Sequence, residues 1–233
     1  MAKLAVEGVV NALRTMILDG RYRPGDRLDE STLVGRLDVS RNTLREAFRV
    51  LAYEHIVEHL PNRGVFVRYL TLDEARDVYR TRRLLECGAL REAAQRRVAA
   101  ESMSPTQRQE FENDWHDSVA AIRRAVQTGI EARGVDDWDG VGTANGDFHL
   151  ALARLADNEV ITRTLRGLIA EMRLLLLVVG EARDVHEAYL DDNMHIATLV
   201  GRGELIRASI ALEEYLLRAE QEVVGHYSGY LVE

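Results

Sequence analysis

Val39-Ser40-Arg41-Asn42-Thr43-Leu44-Arg45-Glu46-Ala47 opens an amphipathic helix, and its two faces decide how the first third of the chain is read. Ser40 stands at an N-cap position, three residues before Thr43, where its hydroxyl can accept a free backbone N–H. Leu44, Ala47, Phe48 and Leu51 then recur at helical spacing on one face, while Arg41, Asn42, Arg45 and Arg49 share the other. Upstream, Val6, Val9, Val10, Leu13 and Ile17 mark another buried helical face, which ends near Asp19-Gly20. The turn Pro24-Gly25 and the cap signal Asp29-Glu30-Ser31 place a two-turn helix with Leu33, Val34 and Leu37 facing inward. Downstream, Ile56–Leu60 and Val65–Arg68 alternate as two short strands around Pro61-Asn62-Arg63-Gly64. Helix, helix, turn, helix and hairpin in that order make a winged helix-turn-helix.

Beyond residue 70 the pattern changes. From Thr71 onward nearly every segment has helical period, with helices expected at about 71–99, 105–128, 138–156, 158–180, 184–200 and 203–226. The stretch Thr128 to Gly146 holds five glycines and little periodicity, and it reads as a loop leading into the third of these. The fold class is therefore mainly α: a winged helix-turn-helix over residues 1–70, then an all-helical bundle over 71–233, joined at Tyr69-Leu70-Thr71.

Charge divides along the same line. The whole chain of 233 residues carries 30 Lys+Arg, 38 Asp+Glu and a net charge of −8, which argues against a nucleic-acid partner only as an average. Residues 1–70 hold 11 basic and 9 acidic residues, a net of +2, and the remainder 19 and 29, a net of −10. Arg41, Arg45, Arg49, Arg63 and Arg68 form a local basic cluster. One cysteine, Cys87, allows no internal disulfide and fits a reducing compartment. The N-terminus lacks the apolar core of a signal peptide, and the Leu174–Val179 run is far short of the ~20 residues of a membrane span. A soluble, cytoplasmic protein is expected.

In a helix-turn-helix the second helix enters the major groove, where base edges carry a distinguishable donor and acceptor code. Ser40, Arg41, Asn42, Thr43 and Arg45 stand where base or phosphate contacts are made, and Arg49 a turn later reaches backbone. At the wing tip, Gly64 permits close backbone approach and Arg63 offers charge. The partner implied is double-stranded DNA.

The motifs Pro24-Gly25-Asp26-Arg27-Leu28-Asp29-Glu30, Val39 to Ala47, and Pro61-Asn62-Arg63-Gly64-Val65-Phe66-Val67 resemble the winged-helix domain of the GntR family of bacterial transcription regulators. Ser31 stands where that family has a DNA-contacting Arg, and His55 where it has Gly. The second part is similar to the FCD effector domain of the FadR-like subfamily. The stretches that carry this likeness are Val78 to Glu86, Asn145 to Leu152, Ala156-Asp157-Asn158, and Ile196 to Leu205. The resemblance implies a homodimer on a pseudo-palindromic operator, regulated by a small metabolite, often a carboxylate, and in most members repression relieved by ligand.

Many FCD domains hold a divalent metal with an Asp four residues before a His and two later histidines. The matching positions here are Asn145, His149, Asn193 and Tyr215. Neutral amide and phenol oxygens substitute poorly for carboxylate and imidazole at a transition metal. No metal or other cofactor is therefore expected. Were one bound, His149 with Asn145 or Asp147 would hold it, joined by His195 in a shifted alignment. An effector pocket is expected in the bundle centre from Arg82, Asn145, His149, Asn193 and Tyr215. Arg82, four residues before Glu86, suits either a carboxylate clamp or an intrahelical ion pair. His149 suits either pocket or core, and so do Trp115 and Trp138. Gly140 to Gly146 lacks the strand and Lys of a phosphate loop. No catalytic set with recognisable spacing appears, so an enzyme is not expected. A metal-dependent enzyme or an interaction module built on the helical domain is the alternative.

Overall fold

The computed structural model describes residues 2–179 and 182–230. Residue 180, where the fourth long helix was expected to end, and residues 231–233, which close the second expected domain, lie outside the described residues. The N-terminal part contains α1 (Ala2–Leu18), α2 (Glu30–Leu37), α3 (Arg41–Tyr53), β1 (Val57–Leu60) and β2 (Gly64–Val67). Asp29 caps α2 and Ser40 caps α3, each accepting from the backbone N–H three residues on. The family's Arg position is put to local use: Ser31 Oγ donates to Asp29 Oδ1 at 2.5 Å, which helps hold the Asp29 carboxyl down at about 2. Leu13, Ile17, Leu33, Leu44, Phe48, Leu51 and Val67 are fully buried and tie the three helices to the hairpin.

β1 and β2 pair antiparallel from Val57↔Val67 to Leu60↔Gly64. The linker before α2 adds to this hairpin through an Arg27↔Phe66 bridge, with Leu28 N donating to Val65 O and Val67 N to Asp26 O. Gly25 is required there: its φ is +88°, and a Cβ would lie 2.6 Å from the Tyr69 ring. His55 makes the bend into β1 with φ +59°, a left-handed conformation that costs a non-glycine residue energy. The bend survives without its glycine.

The second part comprises α4 (Leu72–Ala100), α5 (Pro105–Gly134), α6 (Trp138–Arg154), α7 (Glu159–Val179), α8 (Ala182–Gly201) and α9 (Leu205–Tyr230). Thr71 and Ser104 open α4 and α5 with reciprocal capping boxes. The loop expected over Thr128 to Gly146 is not there. Helix α5 runs on to Gly134, and α6 starts at Trp138 behind its cap Asp137. Two of the glycines that read as breakers are packing residues. A Cβ at Gly129 would lie 3.0 Å from Leu190 Cδ1, and one at Gly146 would lie 3.2 Å from Ile169 Cγ2. Bare backbone on α5 and α6 lets neighbouring helices press close, which a one-dimensional reading cannot separate from flexibility.

The two parts meet through α7. Arg68, leaving β2, pairs with Glu74 on α4 and with Glu171 on α7. Arg173 Nε donates to Leu18 O at the end of α1 at 3.1 Å, and Tyr227 of α9 donates to Leu70 O at 2.5 Å. Among the described residues, no helix is long and apolar enough to cross a membrane.

Candidate functional site

On the outer surface of α3, Arg41, Asn42, Arg45 and Arg49 are exposed, and Thr43 is half-buried. Ser40 Oγ accepts from Thr43 N at 3.1 Å and lies 2.8 Å from Thr43 Oγ1, so these two hydroxyls engage each other at the helix start. Arg45 reaches Glu30 at the first turn of α2, with Nη2 3.1 Å from Oε2, and Arg49 pairs with Glu46. Both are solvent-facing pairs that a phosphate or a base can displace at small cost. Arg63 lies over the Phe66 ring at 5.5 Å beside Gly64, whose φ is +109°.

One basic residue of this surface escaped the sequence reading. Arg27 lies across the wing, its Nε 3.4 Å from where a Gly64 Cβ would be. The Arg27↔Phe66 bridge that puts it there joins distant segments and leaves no local signal. Arg68, counted in the basic cluster, points the other way, into the joint with α4 and α7. The basic surface is therefore Arg27, Arg41, Arg45, Arg49 and Arg63.

The five residues expected around a pocket do come together, as a packed polar network in the bundle centre. Arg82, Asn145, His149, Asn193 and Tyr215 are all buried. Glu86, which the sequence reading treated only as a partner for Arg82, is their hub. Arg82 Nε donates to Glu86 Oε1 at 2.8 Å, and His149 Nδ1 lies 2.5 Å from Glu86 Oε2. Burial alone would push the Glu86 carboxyl up, but Arg82 and His149 hold it below its ordinary value, so it is a carboxylate. Burial drives His149 down against the pull of Glu86, which leaves the ring neutral with its proton on Nδ1. Its Nε2 then accepts from the Tyr215 hydroxyl at 3.2 Å. Asn193 Nδ2 donates to Asn145 Oδ1 at 2.7 Å, and that oxygen lies 3.5 Å from the Tyr215 hydroxyl.

Arg82 forms the ion pair with Glu86 and still has capacity. Its Nη1 lies against Met172 Sδ on α7, its guanidinium sits 5.7 Å from the Tyr79 ring, and its Nη2 has no hydrogen-bond partner among the described residues. Neither tryptophan joins the network: Trp115 packs under Arg97 at 4.6 Å, and Trp138 bonds to Asp136.

This set does not fit a divalent metal. Asp147 and His195 are exposed and turned away, which overturns the shifted alignment and leaves His149 without the companions it would need. The network's one carboxylate is already held by Arg82 and His149. Among the described residues, no group of three or more His, Cys, Asp or Glu is placed to hold an ion.

Comparison with known proteins matches this architecture part by part. Residues 5–67 match the family of bacterial regulatory proteins named gntR, and residues 77–218 match the FCD domain. The chain is 30% identical over 189 residues to the HTH-type transcriptional regulator BphR of Paraburkholderia xenovorans (strain LB400), covering 79% of this chain and 73% of that one. It is 24% identical over 238 residues to the HTH-type transcriptional regulator LutR of Bacillus subtilis (strain 168), covering 91% and 98%. A solved GntR transcriptional regulator from Rhodococcus sp. RHA1 superposes with a TM-score of 0.80 at 34% identity, covering 94% of this chain and 97% of that one. With its exposed arginine surface on a winged helix and its FCD bundle, the chain belongs to the GntR family and is a DNA-binding transcription regulator, not an enzyme.

Proposed function

We propose that the protein is a cytoplasmic, homodimeric repressor that leaves a pseudo-palindromic operator when a small organic acid binds at Arg82. In this reading Arg41, Asn42 and Arg45 read bases, while Ser40, Thr43, Arg49, Arg63 and Gly64 approach phosphates, with Arg27 beside them on the wing. The ligand's carboxylate takes the open Nη2 of Arg82, and Asn145, His149, Asn193 and Tyr215 form the rest of its site.

One turn of α7 carries the ligand-responsive part of this reading. Met172 touches Arg82 in the core, while its neighbours Glu171 and Arg173 hold Arg68 and Leu18 O of the DNA-binding part. A carboxylate arriving at Arg82 displaces the thioether and shifts α7, and with it the winged helix. Linkage makes the effect reciprocal: ligand and operator alter each other's affinity by the same factor.

The outer side of α4 and α9 supports the homodimer. These helices run antiparallel, tied by Arg83–Glu220 and Arg91–Glu213. Leu84, Val98, Ile206, Ile210 and Leu217 are exposed along that one side, out of twelve exposed large hydrophobics among the described residues. An apolar stripe rimmed by Arg91 and Glu213 is self-complementary under a two-fold axis, and a two-fold dimer presents two recognition helices to two half-sites.

The test is operator binding by fluorescence anisotropy on the DNA upstream of the protein's own gene, across salt concentrations. A salt-sensitive complex is expected, and Arg45→Ala should weaken it by roughly ten- to a hundredfold while leaving thermal stability unchanged. Equal affinity for operator and scrambled DNA, or no effect of Arg45→Ala, would overturn the reading.

A further inference from the structure

We infer that the ligand of the bundle centre is a zwitterion, a small amino acid whose carboxylate binds Arg82 Nη2 and whose ammonium group binds Asn193 Oδ1. This rests on the reading of Arg82 as the carboxylate clamp. It adds what stands at the far end of the same network.

Two buried side-chain atoms among the described residues have no hydrogen-bond partner, and both belong to this network. Arg82 Nη2 is a donor on α4, and Asn193 Oδ1 is an acceptor on α8. Between them runs an occupied chain: Arg82 to Glu86, Glu86 to His149, His149 to Tyr215, and Asn193 to Asn145. Buried polar groups are rarely left unpaired, so opposite vacancies at the two ends point to one guest with an acceptor at one end and a donor at the other.

Charge decides what kind of donor it is. Glu86 balances Arg82, and His149 is neutral, so the network as it stands has no net charge. A plain carboxylate would leave one negative charge unbalanced in a buried core, a costly arrangement. A hydroxy acid satisfies Asn193 but leaves the same imbalance, and it would have to draw a proton onto His149. An ammonium group carries its own compensation. At its end of the network it meets Asn193 Oδ1, a neutral amide acceptor.

The test uses the full-length protein at pH 7.5. Thermal shift and titration calorimetry are run with the twenty L-amino acids, and with the des-amino acids and 2-hydroxy acids of the same carbon skeletons. At least one amino acid should bind about tenfold or more tighter than both of its counterparts, with no proton uptake when buffers of different ionisation enthalpy are compared. Asn193→Leu should remove that preference, bringing the affinity for the amino acid down to the level of its des-amino counterpart measured on the same variant. A des-amino or hydroxy acid that binds as well as its amino partner, with proton uptake, overturns the zwitterion and leaves the carboxylate clamp standing. If no acid of any class binds the folded protein, the clamp itself falls, and the zwitterion with it. The wild-type series decides alone, so the outcome does not depend on a variant folding.

Discussion

Three Arg–Glu pairs lie at three depths in this molecule. Arg45–Glu30 on the outer surface of α3 has side chains 58% and 35% exposed, Arg68–Glu171 at the joint 17% and 16%, and Arg82–Glu86 in the bundle centre 1% and 0%. The chemistry is the same and the dielectric is not. In water the pair is held weakly and gives way to any competing anion. In the core neither partner can leave without stranding the other charge. In the proposed function, one side-chain combination serves as an exchangeable DNA contact in one part and as a fixed ligand anchor in the other.

The comparison breaks most easily at its deepest member. Glu86→Leu leaves the Arg82 guanidinium buried without its counter-ion and should cost about 3–5 kcal/mol, which lowers the melting temperature by roughly 6–20 °C for a chain of this size. The double variant Arg82→Met with Glu86→Leu removes both charges and should recover most of that loss, because apolar replacements of a buried pair are often neutral. Calorimetry of both variants checks this. A single-variant loss under about 1 kcal/mol would mean that the pair is hydrated and the contrast of depth is wrong.

Acid probes the same centre with a smaller effect. His149 is held below its ordinary value of 6.5 and folds neutral, so the unfolded chain binds the extra proton as pH falls below that value. Its contribution is therefore fully present above pH 6.5 and is lost on acidification, with a slope of at most about 1.4 kcal/mol per pH unit. Glu86, also lowered, adds a second loss only as pH falls below its ordinary 4.5. His149→Gln can give an N–H to Glu86 and accept from Tyr215, so it should flatten stability between pH 6.5 and 5 while keeping the loss below 4.5. An unchanged slope in chemical denaturation would show that His149 is protonated in the fold.

The joint pair should matter less for global stability and more for local order. Burial pushes the Glu171 carboxyl up despite Arg68, so the pair's desolvation offsets much of its attraction. Glu171→Ala should cost about 1 kcal/mol or less. Hydrogen exchange at residues 68–72, by contrast, should rise several-fold, because Arg68 keeps only Glu74. Equal exchange in the two proteins would remove α7 from the path between core and wing.

Depth also explains what the sequence could reveal. The caps Asp29 and Ser40, the apolar faces of the first three helices and the hairpin are local signals, and each was readable from spacing. Asn145, His149, Asn193 and Tyr215 could be brought together because helical period and family spacing put each on an inward face. Third-body effects were not readable. Gly129 and Gly146 looked like breakers because the helices that press on them are distant in sequence. Arg68 looked like part of a DNA surface because its partner Glu171 lies 103 residues away. Glu86 looked like half of an intrahelical pair, since its bond to His149 depends on how α4 and α6 pack.

The shallowest pair offers the finest distinction. Glu30 holds Arg45 in the free protein and also places a carboxylate beside the surface that approaches phosphate. Glu30→Gln should leave the melting temperature within about 1 °C, since exposed pairs add little. Its effect belongs to DNA. Removing one repelling charge should raise affinity for non-specific duplex by roughly two- to fivefold, because that binding is almost wholly electrostatic. Operator affinity should rise less, as Arg45 loses the partner that orients it toward the base edge, so the ratio of specific to non-specific binding falls. Anisotropy titrations on operator and scrambled duplex at two salt concentrations measure both. A ratio that stays constant would mean that Glu30 acts through charge alone and does not position Arg45. The exposed pair would then differ from the buried one in kind as well as in strength, being no positioning device at all.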